Sequence, residues 1–405
     1  MTDKPTKPAT RVVEAGRKRE WTSVPGGKGA VVNPPVWRAS THLYEDIADL
    51  AGGRPNEDGH FYYGRRGGPT QWALADALTS LEPGADGTEL FPSGVAAIAC
   101  TLLAVLRPGD ELLVTDNAYE PTRNIALSML RQFGITARPF DPLAPDGLAN
   151  AITDATKAVM LESPGSLTLE VCDIPALASL ARERGILSII DNTWATPLGF
   201  PALTHGCDVS VMSLTKHVGG HSDVMMGSAS AAKPVINRIR RQAQFMGQVV
   251  SPDDASLALR GLRSMQVRLE RSTQTALDVA RWLDERPEVS AVLCPMLPGA
   301  PGHDLWQRDF SGGCGLFSFV LSDGLDVDAR ARLIDALDLF GIGFSWGGFE
   351  SLAIPFDPAP VHTLRPWPPG IDTGSGLGVR LSIGLEDAED LIADLAGGLD
   401  AMGAK

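Results

Sequence analysis

The sequence predicts an α/β protein in which a mostly parallel sheet is covered by helices on both faces. Two observations carry this prediction. Between about residue 90 and residue 230, short apolar segments alternate with amphipathic segments of helical period. The apolar segments also lack the polar–apolar alternation of a strand with one face in water. In such sheets ligands bind beyond the carboxyl ends of the strands, so residues there are the first candidates for function.

The predicted strands and helices alternate along this region in the doubly wound pattern. The strands are "ELLVT" (111–115), "TARPF" (136–140), "KAVMLES" (157–163), "LSIIDNT" (187–193) and "CDVSVMS" (207–213). The helices between them are "PTRNIALSMLRQFG" (121–134), "GLANAITDA" (147–155) and "IPALASLARERG" (174–185).

A second, smaller α+β domain is predicted after these elements. It begins with a long helical stretch at about residue 256 and continues with strands and helices that include "GLFSFVL" (315–321), "ARARLIDALDLF" (329–340), "GVRLSIG" (378–384) and "AEDLIADLAGGL" (388–399). The first 60 residues are rich in proline, glycine and charge. We therefore expect an N-terminal arm over residues 1–60, a large domain over 61–255 and a small domain over 256–405.

The overall composition excludes several classes of partner. The chain of 405 residues has a formal net charge of −14, which disfavours nucleic acid and anionic membranes as partners. The N-terminus lacks a hydrophobic signal core, and the longest apolar run is too short to span a bilayer. Five scattered cysteines without a C-x-x-C pair indicate a reducing compartment, so we expect a cytoplasmic protein without a structural zinc site.

Three predicted strands deliver unusual side chains at their carboxyl ends. Asp191 ends one strand, and Tyr119 follows another by four residues. The segment "SLTKHVGGHSDVMMG" (213–227) places Lys216 among small and hydroxyl residues. An aspartate and a lysine in these positions suit pyridoxal phosphate, whose aldehyde takes a lysine amine and whose pyridine nitrogen is kept protonated by a carboxylate. Each residue also has an ordinary interpretation: Asp191 as a cap, Tyr119 as a packed aromatic residue and Lys216 as a surface cation.

The segment "FPSGVAAIACTLLAVL" (91–106) is interpreted as a small-residue turn that opens a helix near Gly94. A helix N-terminus offers unpaired amides and the positive end of the helix dipole, which suit a phosphate. The hydroxyl groups of Ser213 and Thr215 would add donors. The alternative is an ordinary N-cap at Ser93 followed by a glycine.

Rival cofactors fit the sequence less well. No G-x-G-x-x-G follows the first strand, and no G-x-x-x-x-G-K-[ST] is present. The histidines show no H-E-x-x-H or comparable spacing, so no metal site is expected. His217 and His221 lie four residues apart, but in a glycine-rich loop, and we interpret them as structural.

Taken together, these motifs resemble the Cys/Met-metabolism family of pyridoxal-phosphate enzymes, which includes cystathionine β-lyases, cystathionine γ-lyases, cystathionine γ-synthases and methionine γ-lyases. The resemblance runs from "VVNPPVWRASTHLY" (31–44) to "VRLSIGLED" (379–387). It implies the fold type I of pyridoxal-phosphate-dependent transferases, with a mostly parallel seven-stranded sheet. It also implies pyridoxal 5'-phosphate as the cofactor and a homo-oligomer of at least two, and usually four, subunits.

The resemblance assigns cofactor roles to the residues at the strand ends. Lys216 in "SLTK" resembles the Schiff-base lysine, and Asp191 in "DNTWA" resembles the partner of the pyridine nitrogen. Tyr119 in "NAYEPT" resembles the residue that stacks on the cofactor ring. Gly94 and Val95 in "SGVAAI" resemble the amide donors to the phosphate.

It also assigns residues outside these strands. Tyr63 and Arg65 in "YYGRRGGPT" match the family's Tyr-x-Arg pair, which reaches the phosphate of a neighbouring subunit; Tyr63 is also expected among the catalytic residues. Arg380 resembles the arginine that binds the substrate α-carboxylate, as a bidentate guanidinium would. Ser345 and Trp346 in "FSWGGFES" are expected beside it in the substrate pocket.

Ordinary interpretations of the arginines stay open at this point. Arg380 could pair with Glu386 or Asp387 on the same predicted strand region. Arg65 and Arg66 could form a solvated basic turn.

Four local features favour the β-lyase branch of the family. They are Trp346 where γ-acting members resemble "SLGG", "AYEPT" after the stacking tyrosine, "ESPGSLTLEV" without the Asn-Pro of many γ-members, and the "YGRRGGPT" form of the Tyr-x-Arg segment. Ser166 falls where the family asparagine would be, which leaves open what contacts the cofactor's phenolic oxygen.

The resemblance therefore implies a carbon–sulfur β-lyase that cleaves L-cystathionine, or another cysteine S-conjugate, to a thiol, pyruvate and ammonia. Lys216 would act as general base at Cα, and Lys216 or Tyr119 would protonate the departing thiolate. A γ-lyase or γ-synthase of the same family is the enzymatic alternative. A regulatory protein that keeps the fold without turnover, and a structural protein with a coincidental motif, are the alternatives of another class.

Overall fold

The structure is a computed structural model that describes residues 7–24, 26–52 and 61–403. The predicted N-terminal arm therefore lies partly outside the described residues. The rest of it contains short helices, and its segment 35–40 lies against the chain at residues 64–70 through backbone contacts.

The strands form two sheets. The first sheet contains Gly87–Phe91 (β1), Glu111–Thr115 (β2), Thr136–Phe140 (β3), Thr156–Glu162 (β4), Leu187–Asp191 (β5), Val209–Ser213 (β6) and Gly227–Ala231 (β7). The second contains Val289–Leu293 (β8), Leu316–Leu321 (β9), Gly341–Ile342 (β10), Leu352–Phe356 (β11) and Gly378–Ser382 (β12). The strand orders are β1-β7-β6-β5-β4-β2-β3 in the first sheet and β10-β11-β12-β9-β8 in the second.

The α-helices lie before, between and after these strands. They are Pro8–Glu14 (α1), Arg19–Thr22 (α2), Ile47–Ala51 (α3), Pro69–Leu81 (α4), Gly94–Val105 (α5), Glu120–Asn124 (α6), Gly147–Ala151 (α7), Ile174–Glu183 (α8), Thr196–Gly199 (α9), Val235–Met246 (α10), Pro252–Asp284 (α11), His303–Asp309 (α12), Val327–Asp335 (α13) and Ala388–Met402 (α14).

The chain divides into two compact units, Met1–Val105 with Asp208–Gln266 and Leu106–Cys207 with Val267–Lys405. The first unit contains β1, β6 and β7. β7 runs antiparallel to both neighbours, and Gly227 at its start is in register with Phe91 and with Ser213. The ends of β1 and β6 therefore meet the start of β7 at one edge.

In the second unit, β2 to β5 pair in parallel, as the apolar strands predicted. Their interior residues are buried almost throughout, because helices such as α8 pack on them. β3 is the exception: it is an edge strand with exposed residues, where a proline in its sequence is tolerated. Glu162 and Asp191 end two neighbouring strands in register.

The small sheet belongs to the same second unit. β9, β11 and β12 pair antiparallel, and β10 adds a short parallel edge. The indole nitrogen of Trp194 donates to the main-chain oxygen of Leu316, 3.2 Å away, which joins the loop after β5 to this sheet. The domain boundaries predicted at residues 60 and 255 remain a prediction.

The predicted fold class is confirmed, and several elements differ locally. β1 (Gly87–Phe91) is not among the predicted strands, and the helix predicted over 147–155 ends at Ala151. The helix predicted over 121–134 is an α-helical turn at 120–124, then a π-helical turn at 125–129 and a 3₁₀ turn at 130–133. π-Helical turns of this kind are frequent at functional sites. β7 was not predicted, because its sequence "GSASA" lacks the branched and aromatic residues that mark a strand.

All five cysteines are buried and free of disulfide bonds. Among the described residues, no helix combines the length and the apolar character needed to cross a membrane.

Candidate active site

The first turn of α5 carries the candidate site residues Gly94 and Val95 of the first unit. Ser93 caps this helix, since its Oγ accepts from the Ala96 amide at 3.1 Å. The amides of Gly94 and Val95 have no acceptor among the described residues, and Val95 is 41% exposed. Because a helix N-terminus carries unpaired donors and positive potential, this turn suits an anion. The ordinary cap at Ser93 is therefore compatible with an anion site at this turn.

Two glycines bring the strand ends against this helix turn. A Cβ atom on Gly94 would lie 2.8 Å from Cβ and 3.0 Å from Oγ of Ser213. A Cβ atom on Gly227 would lie 2.3 Å from the main-chain oxygen of Ser93. The absence of side chains at both positions permits this approach, which places the Ser213 hydroxyl beside the start of α5.

Lys216 lies in the turn that follows β6. The Lys216 amide donates to the main-chain oxygen of Ser213 at 3.2 Å, and its own oxygen accepts from Gly220 at 2.8 Å. The Thr215 hydroxyl accepts from the Met226 amide at 3.0 Å and lies 3.2 Å from the Met226 oxygen, so it ties this turn to the start of β7. Lys216 is partly buried, and this turn fixes its main chain.

The two histidines of this segment contribute to its structure. Nδ1 of His221 lies 2.8 Å from the main-chain oxygen of Gly219, and His217 is buried. Within the described ranges, no group of histidine, cysteine and acidic side chains is arranged to hold a metal ion.

Tyr63 and Arg65 lie elsewhere in the first unit, at a 3₁₀ turn over Gly64–Arg66. The Arg65 guanidinium lies over the Tyr63 ring, 5.7 Å from its centroid, and both side chains are exposed. Gly64 packs so closely on the arm that a Cβ atom would lie 2.3 Å from the oxygen of Ala39. The main chain of this segment therefore packs tightly on the arm, whereas the side chains of Tyr63 and Arg65 are exposed to solvent.

The second unit contributes the loop that carries Tyr119. This residue precedes α6 and is 45% exposed, so one side of the ring is open. Its amide donates to Oε2 of Glu162 at 2.7 Å. Desolvation raises the pKa of the Tyr119 phenol, and the charges of Glu162 and Asp191 raise it further, against the opposing charge of Arg380. Tyr119, Glu162, Asp191 and Arg380 thus share one electrostatic environment.

Asp191 ends β5 beside Glu162. Oδ1 of Asp191 accepts from the amide of Thr193 at 3.1 Å and from its hydroxyl. Burial raises the pKa of the Glu162 carboxyl well above its ordinary value, and the charge of Asp191 raises it further. Two neighbouring carboxyl groups in one poorly solvated place do not both ionise readily, so burial beside Asp191 favours the protonated form of Glu162.

Arg380 projects from β12 with most of its donors uncommitted. Its Nη2 donates to the main-chain oxygen of Ser345 at 2.9 Å, whereas its buried Nε has no hydrogen-bond partner among the described residues. Desolvation lowers the pKa of Arg380 to about 10, so the guanidinium stays charged at neutral pH. A partly buried cation that has no carboxylate partner in the described part of the chain indicates a site for an anionic ligand.

The ordinary interpretation of Arg380 is wrong, because its two candidate partners are engaged elsewhere. Glu386 accepts from the amide and the hydroxyl of Ser351, each at 2.8 Å. Asp387 lies 3.6 Å from Nη2 of the exposed Arg271.

Ser345 and Trp346 adjoin Arg380 in the segment before β11. Ser345 has a φ angle of 92°, which is rare for a residue with a side chain. This conformation presents its main-chain oxygen to Arg380, a cost in backbone strain of the kind found at functional sites. Trp346 is partly buried beside it. Ser166 lies in the loop after β4, where its amide donates to the oxygen of Asn117 at 2.9 Å.

The comparison with known families decides the relationship. The family model described as "Cys/Met metabolism PLP-dependent enzyme" matches residues 9–400. The chain belongs to this family. The expected family, the fold and pyridoxal 5'-phosphate as cofactor are thereby confirmed.

Relatives in the Cys/Met metabolism family match almost the whole chain. The cystathionine β-lyase MetC of Escherichia coli is 42% identical, covering 98% of this chain and 99% of the relative. The cystathionine β-lyase of Haemophilus influenzae is 38% identical, covering 97% of this chain and 98% of the relative. A solved cystathionine γ-synthase from Xanthomonas oryzae, in complex with aminoacrylate and cysteine, is 33% identical with a TM-score of 0.87; the match covers 99% of this chain and 100% of that one.

The residues present fit the family's cofactor. The open amides of Gly94 and Val95 and the adjacent Ser213 hydroxyl suit a phosphate group. Gly227 has no side chain that would press on Ser93 and Gly94 at this turn. Asp191 suits a protonated ring nitrogen. Sequence reasoning missed Glu162 and Asp116, two further acids at strand ends, although the same rule of strand ends applied to them.

Proposed function

We propose that this chain is a pyridoxal-phosphate-dependent carbon–sulfur β-lyase that acts on L-cystathionine. The net reaction consumes one water molecule and yields homocysteine, pyruvate and ammonia. Its close similarity over nearly the full length to proteins named cystathionine β-lyase carries this proposal. This activity belongs to amino-acid biosynthesis, in the formation of methionine. The five buried free cysteines support the cytoplasm as the place where the protein works.

The first unit supplies the phosphate donors and the lysine. Gly94 and Val95 donate their amides to the phosphate, and Ser213 adds its hydroxyl. The Thr215 hydroxyl, expected as a further donor, would reach the phosphate while it fastens the turn at Met226. Lys216 holds the cofactor through its Nζ atom.

The second unit supplies the ring contacts and the substrate arginine. Asp191 stabilises the proton on the pyridine nitrogen, and the open side of the Tyr119 ring offers a stacking surface. Arg380 binds the substrate α-carboxylate through the donors that are uncommitted in the free chain. Ser345 orients that guanidinium, and Trp346 narrows the pocket beside it. The family resemblance assigns each of these roles, residue by residue.

Proton transfers then fall to residues of the chain. Pyridoxal phosphate, when bound, withdraws electrons from Cα of an amino-acid substrate. Lys216 takes the Cα proton as general base, and the Cβ–S bond breaks. The Tyr119 phenol holds its proton at neutral pH, because its pKa is raised. Tyr119 or Lys216 gives a proton to the departing thiolate.

The active unit is a homo-oligomer in this proposal, with Tyr63 and Arg65 serving a neighbouring subunit. Both side chains are exposed in the single chain, and Gly64 anchors the main chain between them. This arrangement supports a pair that reaches outward to a second copy.

The identity of the keto acid tests the proposed reaction. The purified protein, loaded with the cofactor, is incubated with L-cystathionine, and the products are identified by mass spectrometry. Pyruvate with homocysteine supports the β-lyase. 2-Oxobutyrate with cysteine would instead assign the chain to the γ-lyases. This second candidate is a γ-acting enzyme, as are the similar solved cystathionine γ-synthases.

A further inference from the structure

A buried carboxylate, Asp116, fastens a distant segment of the second unit to the loop that carries Tyr119. Asp116 follows β2 directly and is 2% exposed. Its Oδ1 accepts from the amide of Thr363 at 3.0 Å and from the hydroxyl of Thr363 at 2.9 Å. Its Oδ2 accepts from the amides of Leu364 and Arg365 at 2.6 and 3.1 Å. The segment His362–Arg365, which we call the clasp, thus converges on one side chain.

Arg123 contacts Asp116 from the other end of the loop that carries Tyr119. Its Nη1 donates to the main-chain oxygen of Asp116 at 2.8 Å and lies 3.6 Å from Oδ1 of the same residue. Arg123 is itself buried. Asp116 lies before Tyr119 in the sequence and Arg123 lies after it. Their contact therefore joins the two ends of the loop that carries Tyr119.

The clasp makes two further contacts with loops at the same edge of the first sheet. Arg365 binds the carboxylate of Asp141, after β3, with 2.7 Å between Nη2 and Oδ2. Nδ1 of the buried His362 lies 3.3 Å from the hydroxyl of Thr168, after β4. The clasp therefore spans the loops that follow β2, β3 and β4, the region where ligands bind in α/β sheets.

The position of the clasp in the chain links it to the substrate arginine. It lies between β11 and β12, and β12 carries Arg380. Arg380 and Tyr119 are close enough for each charge state to affect the other. The contact of the clasp with the Tyr119 loop therefore ties the connection that leads into β12, the strand of Arg380, to the loop that carries Tyr119.

We propose that Asp116 is a positioning residue: its carboxylate fastens the clasp to the Tyr119 loop and so holds Arg380 opposite Tyr119 for the α-carboxylate of an amino acid. This inference rests on the proposed function for its ligand, but not for its geometry. Four donors need both carboxylate oxygens, and an asparagine has one acceptor oxygen and an amino group that would face donors. Asp116→Asn therefore releases part of the clasp while it keeps the size of the side chain.

Hydrogen exchange of the cofactor-loaded protein tests the mechanical step. In Asp116→Asn, we expect peptides that cover residues 358–368 to exchange at least about tenfold faster, because local opening becomes easier. Asp173→Asn is the matched control: Asp173 likewise accepts from a backbone amide, of Ala176, and from an arginine, Arg308, but away from the clasp. The control should leave exchange of the clasp unchanged. Exchange of the clasp that stays unchanged in both Asp116→Asn and Asp116→Ala would overturn the proposal.

Titration with L-alanine tests the positioning step. L-alanine carries the α-carboxylate but no sulfur leaving group, so binding is read from the cofactor's absorption without turnover. We expect its dissociation constant to rise about 10- to 100-fold in Asp116→Asn, the range for losing hydrogen bonds to a charged group. The Asp173→Asn control should change it less than about threefold. Faster exchange with unchanged L-alanine binding would show a merely structural contact and overturn the role of Asp116 in positioning.

Asp116→Ala is a second variant in case the asparagine retains the clasp. It should match or exceed the effects of Asp116→Asn on both measurements, and unchanged values in both variants contradict the proposal. Absence of pyruvate formation by the unmodified chain would instead reject the proposed β-lyase reaction, since neither measurement depends on turnover.

Discussion

The amide of Tyr119 donates to Oε2 of Glu162, 2.7 Å away, and Glu162 ends β4 in register with Asp191 at the end of β5. The contact connects the residue proposed to stack on the cofactor with the strand pair that carries the proposed partner of the ring nitrogen. Burial and the charge of Asp191 raise the pKa of Glu162, which favours its protonated form, and Oε2 can accept the amide hydrogen bond in that form too.

Glu162→Gln should therefore behave almost as the unmodified protein does, because a neutral amide replaces a neutral acid. We expect kcat/KM for L-cystathionine within about threefold, whereas Glu162→Ala should lower it about 10- to 100-fold, since the Tyr119 amide loses its acceptor. Steady-state kinetics and the cofactor's absorption spectrum measure both. Glu120→Gln, at an exposed acid next to Tyr119, is the control. A glutamine variant as impaired as the alanine variant would show that Glu162 acts through a negative charge.

Glu170 gives the stability of the protein a dependence on pH. It is 6% exposed, and desolvation raises its pKa to about 7. A raised folded-state pKa means that the native state loses stability as pH rises from the unfolded value, about 4.3, through the folded value. Glu170→Gln should remove this loss. The variant should gain up to about 4 kcal/mol in unfolding free energy relative to the unmodified chain above pH 7, and little at pH 4.

Urea unfolding at several pH values measures this gain, with the exposed Glu183→Gln as control. A Glu170→Gln variant whose advantage is the same at pH 4 and pH 8 would show that Glu170 ionises normally in the folded protein.

Arg380→Lys should weaken binding of the substrate carboxylate more than it slows the chemical step. A lysine has no planar fork, so it cannot both bind a carboxylate bidentately and keep the contact with the Ser345 oxygen. We expect KM for L-cystathionine to rise about 10- to 100-fold, with a smaller fall in kcat. Arg271→Lys, at an exposed arginine of the same unit, is the matched control. An equal, small effect of both substitutions would remove Arg380 from the substrate site.

Gly227→Ala should disturb the proposed phosphate donors at the first turn of α5, the amides of Gly94 and Val95. The added methyl group would lie 2.3 Å from the Ser93 oxygen and 2.8 Å from Cα of Gly94, so the helix turn must shift. Overpacking of this kind costs about 1–3 kcal/mol, which corresponds to a cofactor dissociation constant raised about 5- to 150-fold. Absorbance titration of the cofactor-free protein measures it.

Gly397→Ala is the control for that substitution, because nothing lies within 4 Å of its added methyl group in α14. It should leave cofactor affinity unchanged and stabilise the helix by about 0.5–1 kcal/mol. Unchanged affinity in Gly227→Ala as well would place the phosphate elsewhere.

The sequence was sufficient to predict the fold class, because β2, β4, β5 and β6 are continuous apolar runs that only a covered sheet accommodates. It was insufficient for β7, whose small residues show no strand pattern. That strand matters for the site, because Gly227 permits the contact between Ser93 and the end of β6.

The sequence was sufficient to predict the candidate site residues that lie in recognisable motifs. Asp191, Lys216 and Arg380 lie in segments with a family resemblance, whereas Asp116 and Glu162 are ordinary acids in sequence. The partners of Asp116 lie about 250 residues further along the chain, since Thr363 is separated from it by 247 positions. Only the folded chain brings them together. The ordinary alternatives for Arg380 were also undecidable until Glu386 was seen to bind Ser351.

The most direct measurement maps the attachment of the cofactor. The purified protein is treated with borohydride, digested and analysed by tandem mass spectrometry, with Lys216→Ala as control. The proposed function predicts a pyridoxyl group on the peptide that contains Lys216, on Nζ of that residue, and no such group in the control. A pyridoxyl group on another lysine, or none in protein that has been supplied with pyridoxal phosphate, would contradict it.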